Sequence, residues 1–93
     1  MLKFKSVHKD WMWKAHLDKF ECILEHKEVG VNAGFHIAWL VAGTRECDVL
    51  VSGRFDTFEE AEREALGLFD NYIEMLSLLI TAKAAAEEEA VLA

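Results

Sequence analysis

The fold is decided by residues 49–65, which read VLVSGRFDTFEEAEREA. The first part of this segment is apolar and completes a predicted strand that ends near Ser52. After Asp56, apolar residues recur at helical spacing instead. Thr57 to Glu60 fit a capping box, in which Thr57 caps a helix and Glu60 reaches back to its amide, with Asp56 as the alternative cap. The chain therefore changes from sheet to helix at Asp56.

Upstream of this segment, the chain carries several strand patterns separated by turn signals. Alternating or continuous apolar residues mark segments 2–7, 11–17, 20–26, 35–42 and 47–52. The alternation changes phase at Asp18-Lys19, which predicts a turn or a bulge there. The first segment is the weakest of these strand signals, and its alternative is a loose tail. We therefore expect a single α+β domain, with a three- or four-stranded antiparallel meander over residues 2–53.

The C-terminal part predicts one long helix. Without a proline after Thr57, the helix can run from residue 57 to about 85 or beyond, and residues 86–93 are expected to fray or to form an unpacked end. Gly67 weakens a helix by about 1 kcal/mol relative to alanine, and close packing on the sheet is its expected reason. At ~100° per residue, the apolar residues form two adjacent stripes that together cover roughly 200°. The first stripe is Phe58, Ala61, Ala65, Leu68, Tyr72, Met75, Leu79 and Ala82, and the second is Leu66, Phe69, Ile73, Leu76 and Ile80.

This helix is expected to outrun the sheet. A helix of about thirty residues spans ~45 Å, whereas a strand of about eight residues spans only ~27 Å. One sheet cannot easily bury both stripes, and the overhang leaves apolar side chains in need of a partner. We therefore predict a homodimer through the C-terminal helix. The predicted dimer interface consists of Tyr72, Met75, Leu76, Leu79 and Ile80.

The net charge of −7 is distributed unevenly along the 93 residues. Five lysines lie in the first 20 residues against Asp10 and Asp18, whereas residues 57–93 hold nine acids against Arg63 and Lys83. An acidic helix repels phosphate and favours a basic protein surface, so the expected second partner is an unidentified host protein. The predicted partner-binding residues are Glu59, Glu60, Asp70, Glu74, Trp11 and Trp13.

The cysteines and the apolar segments predict a cytoplasmic location. Cys22 and Cys47 lie inside apolar segments, so free thiols are expected, with a disulfide between them as the alternative. Residues 1–10 contain no apolar run and do not read as a secretory signal. The most apolar stretch, residues 73–82, contains Glu74 and is too short to span a bilayer, so no membrane association is expected.

No motif in the sequence predicts catalysis, a tightly bound metal or a cofactor. A zinc site needs three or four convergent ligands, and the chain has neither a CxxC nor an HExxH motif. His16, Cys22 and His26 are the first candidates if a metal does bind. No elbow motif or glycine-rich phosphate loop surrounds a nucleophile. We therefore predict a non-enzymatic, protein-binding module with no catalytic residues, no metal site and no cofactor.

The alternative function is a nucleic-acid-binding or antitoxin-like regulatory module that uses the N-terminal strands. Lysines interleaved with aromatic residues can bind single strands by charge and stacking. The lysines are Lys3, Lys5, Lys9, Lys14 and Lys19, and the aromatic residues are Phe4, Trp11, Trp13 and Phe20. The competing explanation is that lysines on the wet face of edge strands discourage aggregation. Because the whole chain is acidic, we expect no nucleic-acid partner.

Residues 49–65 resemble the strand-to-helix passage of HicB-type antitoxins, which have a similar acidic entrance to the helix. The same residues are similar to the final strand and helix of double-stranded-RNA-binding domains, where a basic pair near the helix start holds RNA phosphates. Here Glu59 and Glu60 occupy that region, which counts against RNA. In size, charge and architecture, the whole chain resembles compact acidic sheet-plus-helix proteins of phages, including anti-CRISPR and other anti-defence proteins. That resemblance implies a stoichiometric inhibitor of a host defence protein, encoded by a phage or mobile element.

Overall fold

The computed structural model describes residues 2–43 and 49–92. Five strands precede one helix in this part of the chain, in the order β1 (Lys5–His8), β2 (Met12–Leu17), β3 (Phe20–Lys27), β4 (Gly34–Val41), β5 (Val51–Phe55) and α1 (Phe58–Leu92). Each strand pairs antiparallel with the next, so the strands lie in the sheet in their chain order. The predicted α+β arrangement is confirmed, but the sheet has five strands rather than three or four.

The strand count differs because the N-terminal segment does pair with the sheet. Lys5 lies opposite Lys14, and the register shifts between Ser6 and His8, so β1 is a short, irregular edge strand. Such a segment carries a weak alternation signal, which is why a loose tail was the competing prediction.

The predicted change of phase at Asp18-Lys19 is a two-residue turn. Leu17 pairs with Phe20 across it, and Asp18 adopts a φ of 54°. Asp is one of the few non-glycine residues that tolerate a positive φ, so the turn suits this residue type. The turn returns β3 with its apolar side chains on the same face as those of β2. The connection predicted around Gly43, together with Cys47, lies largely outside the described residues.

Helix α1 packs on one face of the sheet, chiefly over β4 and β5. Trp39 is fully buried there, and its ring stacks on Phe69 with centroids 4.4 Å apart. The Trp39 indole donates a hydrogen bond of 2.9 Å to the carbonyl oxygen of Ala65. Ala61 and Ala65 are fully buried, because their small side chains let the helix backbone approach the strands. This contact fixes both the position and the direction of α1.

The start of α1 confirms the Thr57 half of the predicted capping box. The Glu60 amide donates a hydrogen bond of 3.1 Å to the Thr57 hydroxyl, which satisfies one of the free amides of the first turn. Asp56 instead pairs with Arg54, at 3.0 Å. Thr57 is therefore the cap.

The reason predicted for Gly67 is wrong. Gly67 is exposed, and a Cβ atom built there would meet only Glu64 Oε2, at 3.9 Å. The close approach between helix and sheet lies instead at Gly53 of β5, where a Cβ atom would come within 3.1 Å of Leu68 Cδ2. The tight fit therefore favours a glycine in the strand, since a Cβ atom there would require Leu68 to shift, whereas the space around Gly67 is open.

The C-terminal half of α1 projects beyond the sheet. The helix has 35 residues, or ~52 Å of length, in a molecule whose longest dimension is 58 Å. Tyr72 is the last helix residue that packs against the core, so we call residues 73–92 the projecting segment. The helix continues unbroken through residues 86–92, and the side chains of residues 86–90 are exposed.

Candidate protein-binding surface

The projecting segment exposes large apolar side chains to solvent. Met75, Leu78, Leu79 and Ile80 are 63%, 66%, 59% and 67% exposed, within a span of six residues. Contiguous apolar surface of this kind marks interaction sites in soluble proteins. Polar residues such as Ser77 and Thr81 occupy the remaining arc of the helix.

Four of the five residues predicted for the dimer interface lie on the projecting segment. Met75, Leu79 and Ile80 are exposed and Leu76 is half-buried, whereas Tyr72 packs against the core at the point where the helix leaves the sheet. Leu78 is also exposed on this segment, although its helical angle falls outside both predicted stripes.

The acidic residues predicted to bind a partner lie along α1. Glu59, Asp70 and Glu74 are exposed, whereas Glu60 is half-buried and its amide is used in the helix cap. Arg63 lies among them and makes an ion pair of 3.3 Å with Glu64. Apart from this one arginine, the exposed side of the sheet-packed half of α1 presents only negative charge.

The two tryptophans predicted for partner binding do not share a surface. Trp11 precedes β2, is 45% exposed and stacks on His8 with ring centroids 4.6 Å apart. Trp13 faces the helix and packs edge-on against Phe58, at 4.8 Å. Trp11 is thus available to a partner, whereas Trp13 belongs mainly to the core.

The residues suspected of binding a metal do not converge. Cys22 is buried beneath the helix, and burial raises the pKa of its thiol from 9.0 to about 12, which disfavours the thiolate that a metal requires. His16 lies on the opposite face of the sheet, where it approaches Glu21 at 3.8 Å. His26 shares the face of Cys22 but stacks on Phe35, about 13 Å further along the strand. Among the described residues, no group of three histidine, cysteine, aspartate or glutamate side chains could hold a metal ion.

Three N-terminal lysines meet at a groove that the linear sequence does not reveal. The groove has a volume of about 420 Å³. Its basic lining is Lys3, Lys5, Lys14 and His16, and its apolar lining is Leu2, Ala15, Leu17 and Leu66 of the helix. We call it the basic groove. It lies beside the start of β1, at the end of β2 that β1 leaves unpaired, and Leu66 of α1 reaches it from the helix.

The aromatic residues interleaved with these lysines do not line the basic groove. Phe4, Trp13 and Phe20 pack against the main core beneath α1. Trp11 lies at the opposite end of β2, next to His8. The described residues therefore offer charge at the groove without the stacking platform that single-stranded nucleic acid uses.

The sheet face opposite α1 is covered by no helix of the described chain. A small apolar cluster of Met12, Ile23 and Leu40 is nevertheless buried there. Charged neighbours on that face include Lys14 and Glu21, which form an ion pair of 3.4 Å. This mixed surface lacks the contiguous exposed apolar area of the projecting segment.

By length and composition alone, the helical region from Phe58 to Ala90 could cross a membrane, with a window of mean hydropathy 1.3 that is only 11% buried. The helix is longer than the apolar stretch, residues 73–82, whose length led us to expect no membrane span.

Comparison of the chain with family models, with curated proteins and with solved structures finds no match.

Proposed function

We propose that this chain is a non-enzymatic, protein-binding module that acts in the cytoplasm as a homodimer joined through α1. The observation that carries the proposal is the projecting segment, whose apolar side chains have no partner within the described chain. In water, burial of apolar surface is favourable by roughly 25 cal/mol per Å². A helix that exposes such a stripe is stabilised by pairing with another helix.

Each protomer then presents the acidic side of α1 to a second protein. Glu59, Asp70 and Glu74 are exposed there, away from the sheet. A concentrated negative surface speeds association with a basic one and repels nucleic acid. We propose that the module binds a basic surface of a host protein stoichiometrically, as an inhibitor encoded by a phage or mobile element would.

The dimer is tested by a pair of glutamate substitutions at adjacent positions. Ile80→Glu places a charge in the proposed interface, whereas Thr81→Glu places it on the polar arc of the same helical turn. Light scattering at micromolar concentration is expected to give a dimer for the unmodified protein and for Thr81→Glu, and a monomer for Ile80→Glu. A monomeric unmodified protein would end the dimer proposal.

The host partner is tested by affinity capture with charge variants. Glu74→Lys and Glu28→Lys change the net charge equally, but only Glu74 lies on the acidic side of α1. We expect to capture one partner in stoichiometric amount with the unmodified protein and with Glu28→Lys. Its binding should be weaker with Glu74→Lys and should be lost when the charges of Glu60, Asp70 and Glu74 are all reversed. Equal loss with both single variants would mean that only net charge matters and would remove the proposed surface.

A further inference from the structure

We propose that the basic groove receives the acidic end of α1 from a second copy of this chain, so that the two helices pair antiparallel. This inference rests on the homodimer proposed above and adds its orientation and a defined site at each end. The occupant of the groove is the run Glu87-Glu88-Glu89 near the end of the projecting segment.

One row of residues along α1 has the spacing of a two-helix coiled coil, with intervals that alternate between three and four. The row comprises Leu66, Phe69, Ile73, Leu76 and Ile80 and continues to Lys83 and Glu87. Leu66 lines the basic groove, whereas Ile73 and Ile80 lie on the projecting segment. Phe69 is turned into the protein's own core and is only 5% exposed, so a second helix would meet the other apolar members of the row and reach the groove at Leu66.

The register of an antiparallel pair follows from this row. When Ile73 faces Ile80 of the second copy, the two-fold axis passes between residues 76 and 77. By symmetry, Ile80 then faces Ile73 of the second copy, so the same apolar contact forms twice. Seven residues further along each helix, Leu66 of one copy faces Glu87 of the other. The glutamate run then lies beside the groove that Leu66 lines.

The charges on the two surfaces are complementary. Lys14 already pairs with Glu21 at 3.4 Å, whereas Lys3 and Lys5 make no ion pair with another described residue. At the other end, the one ion pair of Glu87 with a described residue is a long, exposed contact of 3.9 Å with Lys83. An antiparallel dimer brings these opposite charges together twice, once at each end.

A parallel dimer would arrange the same charges unfavourably. The two glutamate runs would lie side by side, where like charges repel each other. The basic grooves would remain empty at the far ends of the pair. Because both complementary surfaces belong to one chain, a second copy fits the groove without any foreign partner.

The charge contact is tested by reversing each side separately. The groove variant carries Lys3→Glu and Lys5→Glu, and the tail variant carries Glu87→Lys and Glu88→Lys. At low salt, each variant alone is expected to raise the dimer dissociation constant roughly tenfold or more, since four exposed ion pairs become repulsive. An equimolar mixture of the two is expected to form heterodimers as tight as the unmodified dimer, because both ends are then complementary. Unchanged affinity of both variants, or no preference in the mixture, would overturn the inference.

The orientation is tested by disulfide cross-linking in a Cys47→Ser background, with Cys22 buried. One preparation carries Ile73→Cys and another carries Ile80→Cys. An antiparallel pair is expected to cross-link only when the two preparations are mixed. Cross-linking within each preparation alone would show a parallel pair and overturn the inference while leaving the homodimer intact.

The same groove variant also tests nucleic acid as a competing occupant. A fluorescent single-stranded oligonucleotide is expected not to bind the unmodified dimer at physiological salt. If it does bind, and the groove variant loses that binding without any change in dimer affinity, the lysines serve nucleic acid and the inference fails. A monomeric unmodified protein would instead remove the homodimer itself, so the two failures are distinguishable.

Discussion

Replacing Gly67 with alanine is expected to stabilise the protein. Gly67 lies in the middle of α1 and is exposed, and a Cβ atom added there would meet no heavy atom closer than Glu64 Oε2, at 3.9 Å. Alanine in a helix interior is favoured over glycine by about 0.8–1.0 kcal/mol. Because no contact opposes this gain, the free energy of unfolding should rise by about 1 kcal/mol.

The same substitution at Gly34 is expected to have the opposite effect. Gly34 begins β4 with a φ of 136°, which side-chain-bearing residues rarely adopt. A Cβ atom there would lie 2.9 Å from Arg54 Nε and 3.0 Å from the backbone oxygen of Phe55. Backbone strain alone costs about 1–3 kcal/mol, and the contact with a backbone atom adds to it. Gly34→Ala should therefore lower the free energy of unfolding by about 2 kcal/mol or more.

Thermal unfolding followed by circular dichroism measures both variants at one protein concentration, which cancels any contribution from dimerisation. For a domain of this size, 1 kcal/mol corresponds to a shift in Tm of roughly 4–8 °C. Gly67→Ala should raise the Tm of the protein by about that amount. Gly34→Ala should lower the Tm, and by a larger amount. A lower Tm for Gly67→Ala would show that something packs against this side of the helix, and would refute its assignment as open surface.

Two further predictions concern the helix cap and the buried thiol. Thr57→Ala should lower the free energy of unfolding by about 1 kcal/mol, because it removes the hydrogen bond from the Glu60 amide. The control Thr81→Ala removes only a bond to the Ser77 carbonyl in the exposed helix and should change it by less than about 0.5 kcal/mol. Equal effects of the two variants in urea titration would contradict the cap. Burial raises the pKa of the Cys22 thiol to about 12, so in a Cys47→Ser background Cys22 should react with a thiol reagent at pH 8 only as fast as the protein unfolds. The free energy of unfolding should also fall as the pH rises from about 9 towards 12, because in that range only the unfolded thiol loses its proton. Rapid labelling of the folded protein would contradict the burial of this thiol.

The order of the elements could be predicted because it depends on local signals. The phase change at Asp18-Lys19 reflects a two-residue turn, and the change of periodicity after Asp56 reflects a capped helix. Both signals are contained in a few neighbouring residues. Strand β1 could not be predicted in the same way, because Lys5–His8 pairs with β2 through a shifted register that the alternation of apolar residues does not capture.

The reasons for Gly34 and Gly53 could not be predicted, because they depend on residues far away in the sequence. The identity of Gly53 is explained by Leu68 on the helix, and that of Gly34 by Arg54 and Phe55. Gly67 is different, because at ~100° per residue it lies about 200° from Ala65, on the polar side of the helix. The stripe pattern alone therefore points Gly67 away from the sheet, and its exposure agrees with that pattern.

The exposed apolar surface of the projecting segment could be predicted from the length of the helix. The basic groove near it could not. The length of α1 relative to the strands already implied that Met75 and Ile80 would lie beyond the sheet, and both are exposed. Nothing local places Lys3 or Lys5 beside Leu66, because that meeting requires β1 to leave the Ala15–Leu17 end of β2 unpaired and the Leu66 side chain to reach this end from the helix. The same geometry places positive charge on the sheet near the helix exit, and the free end of the helix carries negative charge. A chain with complementary charges at the two ends of an exposed apolar helix is suited to pairing with its own copy in the antiparallel sense.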